Sequence, residues 1–325
     1  MKLTASFTLF LAAAAFAAGT AQAQPAAYPA KPLRMIVPYA PGGATDIVAR
    51  ILTPHMIENL GQQIVIENRP GGATMGGTDA VAKAPADGYT LLMANIALGA
   101  NPSLFRSVPY DTVKDLVPVS LIVTVPTLLV VHPSVTARSV AELIAYAKTR
   151  PGALNYGSAG NGSANHLTME VFKSMAGIDV VHVPYKGGAP AIADLVGGQV
   201  TMMFASALAS LPHVKSGRLV ALGVSSAARN PVMPEVPTVG ESGLPGFEVS
   251  EWQMLLAPAG TPAPIIDRLH REAVRSLAYA DVRERIAGLG STVVGSTPAE
   301  AAAFLKAEVA RWAEVARRAG IKAQD

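Results

Sequence analysis

The stretch Leu33-Arg-Met-Ile-Val-Pro-Tyr-Ala-Pro-Gly-Gly-Ala-Thr-Asp-Ile-Val-Ala-Arg50 reads as a buried strand, a glycine turn and the opening of a helix. Such a junction leaves bare backbone N–H groups in a concave corner, which suits an anion. The same logic recurs at Leu154-Asn-Tyr-Gly-Ser-Ala-Gly-Asn-Gly-Ser-Ala-Asn-His166 and, more weakly, at Val181-His-Val-Pro-Tyr-Lys-Gly-Gly-Ala-Pro190. Three donor-rich loops in a chain with few charges and no cysteine point to capture of a carboxylate rather than catalysis on it.

Composition narrows the class. Half of the 325 residues are hydrophobic and 15% are charged, a balance that suits an α/β protein with buried parallel strands and not a disordered chain. Lys and Arg exceed Asp and Glu by 26 − 23 = 3, with no basic block of the kind that tracks a nucleic-acid backbone. DNA and RNA are therefore not expected as partners, and so small a charge steers an anionic solute only weakly at physiological salt. Met1-Lys2 opens the chain, an apolar run follows from Phe7 to Ala18, and Ala21-Gln22-Ala23 has the small-x-small form of a signal-peptidase site. Residues 1–23 are expected to be a signal peptide, cleaved after Ala23 on export to the periplasm. The apolar run is shorter than the roughly 20 residues that span a bilayer and none comparable follows, so a soluble mature protein is expected. Without cysteine, its stability must come from the core alone, which a mature chain of about 300 residues can supply.

Short β-rich runs alternate with helical stretches: Leu33–Tyr39, Ile64–Glu67, Thr90–Met93, Thr127–Val131, Asn155–Tyr156, Val180–Val183, Thr201–Phe204 and Leu219–Val224. Strand, helix, strand throughout implies parallel sheets with helical crossovers. Ser139-Val-Ala-Glu142 and Thr297-Pro-Ala-Glu300 have the form of capping boxes, and Thr261-Pro262 looks like another helix start. The last helix, about Pro298 to Arg318, places Leu305, Val309, Trp312 and Ala316 on one face and Lys306, Glu308, Arg311 and Arg317 mostly elsewhere, so it should pack back on a sheet. Near Val119–Val131 an almost continuous apolar run, broken by Pro126, is too long for an ordinary strand and reads as two strands joined at a crossing between domains. Pro234–Glu251, rich in Pro and Gly, reads as the return crossing. The expected organisation is a discontinuous α/β lobe, 24–124 with 250–325, and an inserted α/β lobe, 125–249.

At the first loop the glycines permit close backbone approach, and the N–H groups of Gly42 to Thr45 would face a cleft at the carboxyl end of a strand; the alternative is a plain tight turn. Asp46, in the first helical turn, is expected to cap free N–H groups. In the second loop Ser158, Asn161 and Ser163 add side-chain donors to the N–H groups of Gly160 and Gly162, and His166 falls at the start of the following helix. The Gly-Asn-Gly-Ser-Ala-Asn run lacks the glycine spacing of a nucleophile elbow, which argues against a serine hydrolase. His166 and Glu170 are four apart, but no third ligand stands at a recognisable spacing, so no metal or cofactor is expected. Asn68–Asp79 lacks both the P-loop ending and the dinucleotide fingerprint; it is either a cleft wall or a surface loop.

The segments Val37-Pro-Tyr-Ala-Pro-Gly-Gly-Ala-Thr-Asp46, Glu67-Asn-Arg-Pro-Gly71, Asp87-Gly-Tyr-Thr-Leu91, Asn101-Pro-Ser-Leu104, Asn155-Tyr-Gly-Ser-Ala-Gly-Asn-Gly162, His182-Val-Pro-Tyr-Lys-Gly187, Pro237-Thr-Val239 and Leu256-Ala-Pro-Ala-Gly-Thr-Pro262 resemble the Bug family. These are the TctC-like periplasmic solute-binding components of tripartite tricarboxylate transporters, and the resemblance covers nearly the whole mature chain in order and spacing. It implies a two-lobed α/β periplasmic binding protein of type II-like form, non-enzymatic and monomeric, closing around an organic acid at a central cleft with two hinge crossings. The implied partners are the ligand and the membrane permease subunits; a receptor that reports its ligand to a membrane sensor kinase is the alternative. The candidate ligand-contacting residues are Tyr39, Pro41, Gly42, Gly43, Ala44, Thr45 and Asn95 in one lobe, and Ser158, Gly160, Asn161, Gly162, Ser163, His166, Ala205 and Ser206 in the other. Ala205-Ser206 stands where many relatives carry Asp-Asn, so a ligand lacking an α-amino group is expected. Tyr39 and Trp252 either touch the ligand or fill the hinge core.

Overall fold

The computed structural model describes residues 28–288, 290–318 and 323; the expected signal peptide, 1–23, lies outside them. Strand β1 (Leu33–Val37) stops before Pro38, and the glycine turn leads into α1 (Ala44–Leu60). There follow β2 (Ile64–Asn68), α2 (Met75–Ala82), β3 (Thr90–Asn95), α3 (Ala97–Leu104) and β4 (Leu116–Val131). The middle of the chain forms α4 (Val140–Lys148), β5 (Asn155–Ser158), α5 (Ala164–Ala176), β6 (Val181–Pro184), α6 (Gly188–Val196), β7 (Met202–Ser206), α7 (Ala207–Lys215) and β8 (Val220–Val224). The chain closes with β9 (Ser250–Pro258), α8 (Ala263–Leu277), α9 (Ala280–Gly288), β10 (Thr292–Val293) and α10 (Pro298–Arg318).

Two sheets share β4. The first runs β2-β1-β3-β9-β4, with β10 on the far side of β4; the second runs from β4 through β7 and β5 to β6, with β8 also against β4. Pairings β1/β2, β1/β3, β5/β6 and β5/β7 are parallel, as the strand–helix alternation predicts. The sheets are nevertheless mixed, because β4 and β9 run antiparallel to their neighbours. These two strands carry the chain between the halves, so their direction is set by the crossing and not by a helical return.

The apolar run is one unbroken 16-residue strand, not two. Leu116–Pro126 pairs with β9 and Thr127–Val131 pairs with β7. Pro126 sits at the switch of partners, opposite Ser250, where a missing donor removes little of either ladder. Beside it Ser225 Oγ accepts from Thr127 N (3.1 Å), and Val249 N donates to Ser225 O (2.9 Å), so the return crossing lies against the outgoing one.

Helices cover both faces of each sheet. Leu52, Met56, Leu255 and Leu269 fill the layer between the first sheet and α1 and α8; Ile192, Leu195, Met203 and Leu211 fill that between the second sheet and α6 and α7. A third cluster, including Ile96, Leu129, Phe172, Trp252 and Leu305, passes beneath the crossings from one half to the other. Helix α10 packs on α3 and β4, with Leu305, Trp312 and Ala316 buried. The amphipathic reading fails at Glu308, which is also buried: its Oε2 accepts from Trp252 Nε1 (2.8 Å) and Trp312 Nε1 (3.3 Å), while Arg311 bonds Oε1. Two indole donors require an acceptor inside the core, and Glu308 supplies it. The α10 capping box closes in both directions through Thr297 and Glu300. At α4 the reciprocal arm differs, because Glu142 accepts from Arg138 N and not from Ser139 N. Helix α8 begins after Pro262, while Thr261 donates back to Pro258 O instead of capping.

Candidate functional site

Carboxyl ends of parallel strands from the two sheets face one another across a narrow cavity of about 30 Å³. The first half contributes Tyr39, Gly43, Ala44, Thr45 and Asn95, with Glu251 from β9; the second contributes Ala159, Ser163, Ala164, Asn165, Gly188, Ile192, Met203, Ser206 and Ala209. The halves meet closely: a Cβ added to Gly187 would stand 2.8 Å from the Cβ of Ala40, and one on Gly42 would stand 3.3 Å from the Cβ of Ala189.

Four helices, α1, α5, α6 and α7, present their N-terminal residues here. The caps of α1, α6 and α7 (Gly43, Gly187, Ser206) make no side-chain cap bond, so no cap side chain satisfies the first-turn N–H groups. Each helix end carries roughly half a positive charge, the polarity that holds a carboxylate. Among the described residues lining the cavity there is no lysine, arginine or histidine.

Asp46 holds the α1 entry, accepting from Gly42 N, Arg50 Nε and Asn68 Nδ2 at 2.9 Å each. Burial alone would raise its carboxyl, but these partners outweigh it and hold it below its ordinary value. Because the Gly42 N–H is spent on Asp46, the free donors of this turn begin at Gly43. Pro41 and Gly42 are exposed; Gly42 borders an outer groove with Ile47 and Ala189.

Deeper in the wall, Tyr39 Oη donates to Asn95 Oδ1 (2.9 Å), and Asn95 Nδ2 bonds Glu251 Oε1 (3.3 Å) and Thr45 Oγ1 (3.4 Å). Gln253 Nε2 also donates to Glu251 Oε1 (2.9 Å). Glu251 is 4% exposed, and burial without a cationic partner pushes its carboxyl up to about 7, the bonds from Asn95 and Gln253 offsetting only part of that.

The second loop divides its residues. Ser163 caps α5 through His166 N (3.4 Å) and lines the cavity; Asn165 fixes the loop by accepting from Ala159 N and donating to Phe204 O. Ser158, Gly162 and His166 lie outside the cavity. Ser158 is fully buried with its Oγ 2.6 Å from His182 Nε2, and it accepts from Gly160 N (3.0 Å), so its hydroxyl is spent within the loop. Ser158 is buried in this pair, while His182 is partly exposed. His166 accepts from Gly162 N (3.2 Å) and stacks on His182 at 4.4 Å, which in turn stacks on Tyr156 at 4.7 Å. Burial lowers the affinity of both imidazoles for a proton, that of His182 to a pKa of about 3.

Gly160 and Asn161 line a wider neighbouring chamber with Gly71–Met75, Phe105 and Tyr185, which makes part of Asn68–Asp79 a wall of that chamber; Tyr39 and Ala159 border both. Ala205 is fully buried against Leu128 in the second-half core, so only Ser206 of that pair lines the cavity. The substitution at 205 therefore does not set the charge of the wall. Glu251, the acid that does line it, was missed by the sequence reading; its one signal is a lone carboxylate in the apolar strand Ser250–Pro258.

A family profile described as "Tripartite tricarboxylate transporter family receptor" matches residues 48–321. Protein BugT of Bordetella pertussis is 41% identical over 323 residues, covering 99% of this chain and 98% of its own. The structure of periplasmic binding protein BugD superposes with a TM-score of 0.89 at 36% identity, covering 91% of this chain and 100% of that one. Rpa4515 of R. palustris, solved with adipate, gives 0.88 at 37% identity with the same coverage. The chain belongs to the tripartite tricarboxylate transporter receptor family, the Bug or TctC family: a non-enzymatic, periplasmic solute-binding protein with the two-lobed, type II-like α/β fold.

Proposed function

We propose that the protein captures a small organic carboxylate between its lobes and delivers it to the membrane permease subunits of a tripartite transporter. The observation that carries the reading is the convergence of four helix N-termini, three without a side-chain cap, on a cavity with no cation among the described residues that line it. Gly43 to Thr45 would hold one carboxylate, with Ser163, Gly188 and Ser206 as donors from the facing lobe. Closure excludes water and strengthens each contact. A micromolar complex needs about −8 kcal/mol, which several charge-assisted hydrogen bonds of roughly 1.5–3 kcal/mol each supply after ordering losses. Adipate in the Rpa4515 structure supports the ligand class.

The lobes in this reading are 24–124 with 250–325, and 125–249, hinged where β4 and β9 cross. Residues 1–23 act as the export signal, and the periplasmic protein should begin at Gln24 on N-terminal sequencing. Titration with succinate, malate and adipate should raise the melting temperature and shrink the small-angle scattering radius. Binding with no change in radius would refute the clamp; binding of none of the three would refute the ligand class.

A further inference from the structure

The cavity is built for an anion, yet one wall holds a carboxyl group. Glu251 Oε1 is engaged by Asn95 and Gln253, while Oε2 has no hydrogen-bond partner among the described residues although the side chain lines the cavity. Of the groups packed around it, Thr45 of α1, Asn95 of β3, Val125 of β4 and Gln253 of β9 do not titrate. Tyr39 does, but burial raises its phenol far above the ordinary range. Asp46 in the first turn of α1 is held by Arg50 and Asn68, and His166 of α5 lies in the ring stack. The facing residues Ser163, Asn165, Gly188 and Ser206 carry no charge. An ionised Glu251 would thus stand unpaired beside a bound anion in a closed, poorly hydrated space, an arrangement that is strongly unfavourable.

We infer that Glu251 sets the specificity of the cleft as a neutral carboxylic acid, donating its proton through Oε2 to an oxygen of the bound ligand, so that capture of a carboxylate requires a protonated receptor. The inference rests on the carboxylate-receptor reading and adds a donor to the helix N-termini. Its ligand is a simple di- or hydroxycarboxylate; an α-ammonium group would require the opposite charge state.

The test is calorimetry of succinate, malate, adipate and aspartate with the mature protein and Glu251→Gln at pH 6 and pH 8.5. Relative to Glu251→Gln, whose amide still donates at both pH values, the wild type should bind the preferred acid about thirtyfold more weakly at pH 8.5 than at pH 6. That factor is the ratio of neutral fractions for an acid titrating at about 7. The variant should bind within about threefold of wild type at pH 6, since an amide donor replaces a hydroxyl donor. Equal pH dependence in the two proteins would overturn the inference while leaving the receptor reading intact. Aspartate binding that strengthens with pH in wild type and is lost in Glu251→Gln would overturn it too, by assigning Glu251 to an ammonium. If none of the four binds either protein, the receptor reading fails and the inference falls with it.

Discussion

Replacing Glu251 by Gln should reshape the pH dependence of stability even with no ligand present. In the folded protein burial holds the carboxyl up to about 7, against 4.5 for a free glutamate. The raised pKa makes the neutral form the favoured one in the fold. Its contribution is fully present below pH 4.5, where folded and unfolded chains are both protonated, and is lost as pH rises through 7, where the folded protein must bury a charge or release it. The difference between 4.5 and about 7, at about 1.4 kcal/mol for each tenfold change in proton affinity, is worth at most about 3.5 kcal/mol. Glutamine keeps the shape and does not titrate. Urea unfolding of both proteins at pH 4, 6 and 8 should show the wild type losing about 3 kcal/mol relative to the variant between pH 4 and pH 8, most of it between 4.5 and 7. Titrations of all other groups are common to the pair and cancel. Stability curves that stay parallel to within about 0.5 kcal/mol would refute the reasoning, because they would mean that Glu251 is solvated or paired in solution.

Glu308→Ala should destabilise by about 2–4 kcal/mol in urea unfolding, since it strands two buried indole donors, whereas Glu308→Gln retains an acceptor and should cost less. Gly187→Leu places side-chain atoms where Ala40 already stands 2.8 Å from the nearest position, so the lobes should fail to close. Calorimetry should then show at least tenfold weaker carboxylate binding, with the scattering radius of the liganded protein unchanged from its free value. Ser163→Ala should weaken binding by about 1–3 kcal/mol if its hydroxyl reaches the anion, whereas Ser158→Ala, spent on His182 and Gly160, should lower stability by about 1 kcal/mol and leave affinity near wild type.

How much of this was legible follows from how local each signal is. The β1–α1 junction is written in consecutive residues: an apolar strand, two glycines, then helix formers, so the position of Gly43 to Thr45 at a strand's carboxyl end could be read directly. Asp46 as a cap was legible for the same reason. Ser158 looked equivalent to Ser163, five residues on, because both are hydroxyls in one glycine loop. What separates them is His182, on the next parallel strand, which takes the Ser158 hydroxyl out of play. Pro126 suggested a broken strand because a proline removes a ladder donor. Only the second sheet shows that the ladder changes partners at that residue. Glu308 likewise counted as a surface charge on helical periodicity until Trp252, 56 residues earlier, was placed against it.

Glu251 is the extreme case, and its illegibility has a physical cause. Its hydrogen-bond partner Asn95 is 156 residues away in sequence, and the two meet only because β9 returns antiparallel beside β3, setting Gln253 opposite Asn95 in the ladder. A carboxylate in an apolar strand can be an edge residue, a core acceptor like Glu308, or a cavity wall. Nothing in its neighbours along the chain distinguishes these. Burial, with no cation among the described residues lining the cavity, raises the affinity of this carboxyl for a proton, and both are properties of the assembled cleft. The residues proposed to hold the anion are encoded locally, as strand-to-helix turns. The carboxyl group that would select among anions is placed there by topology.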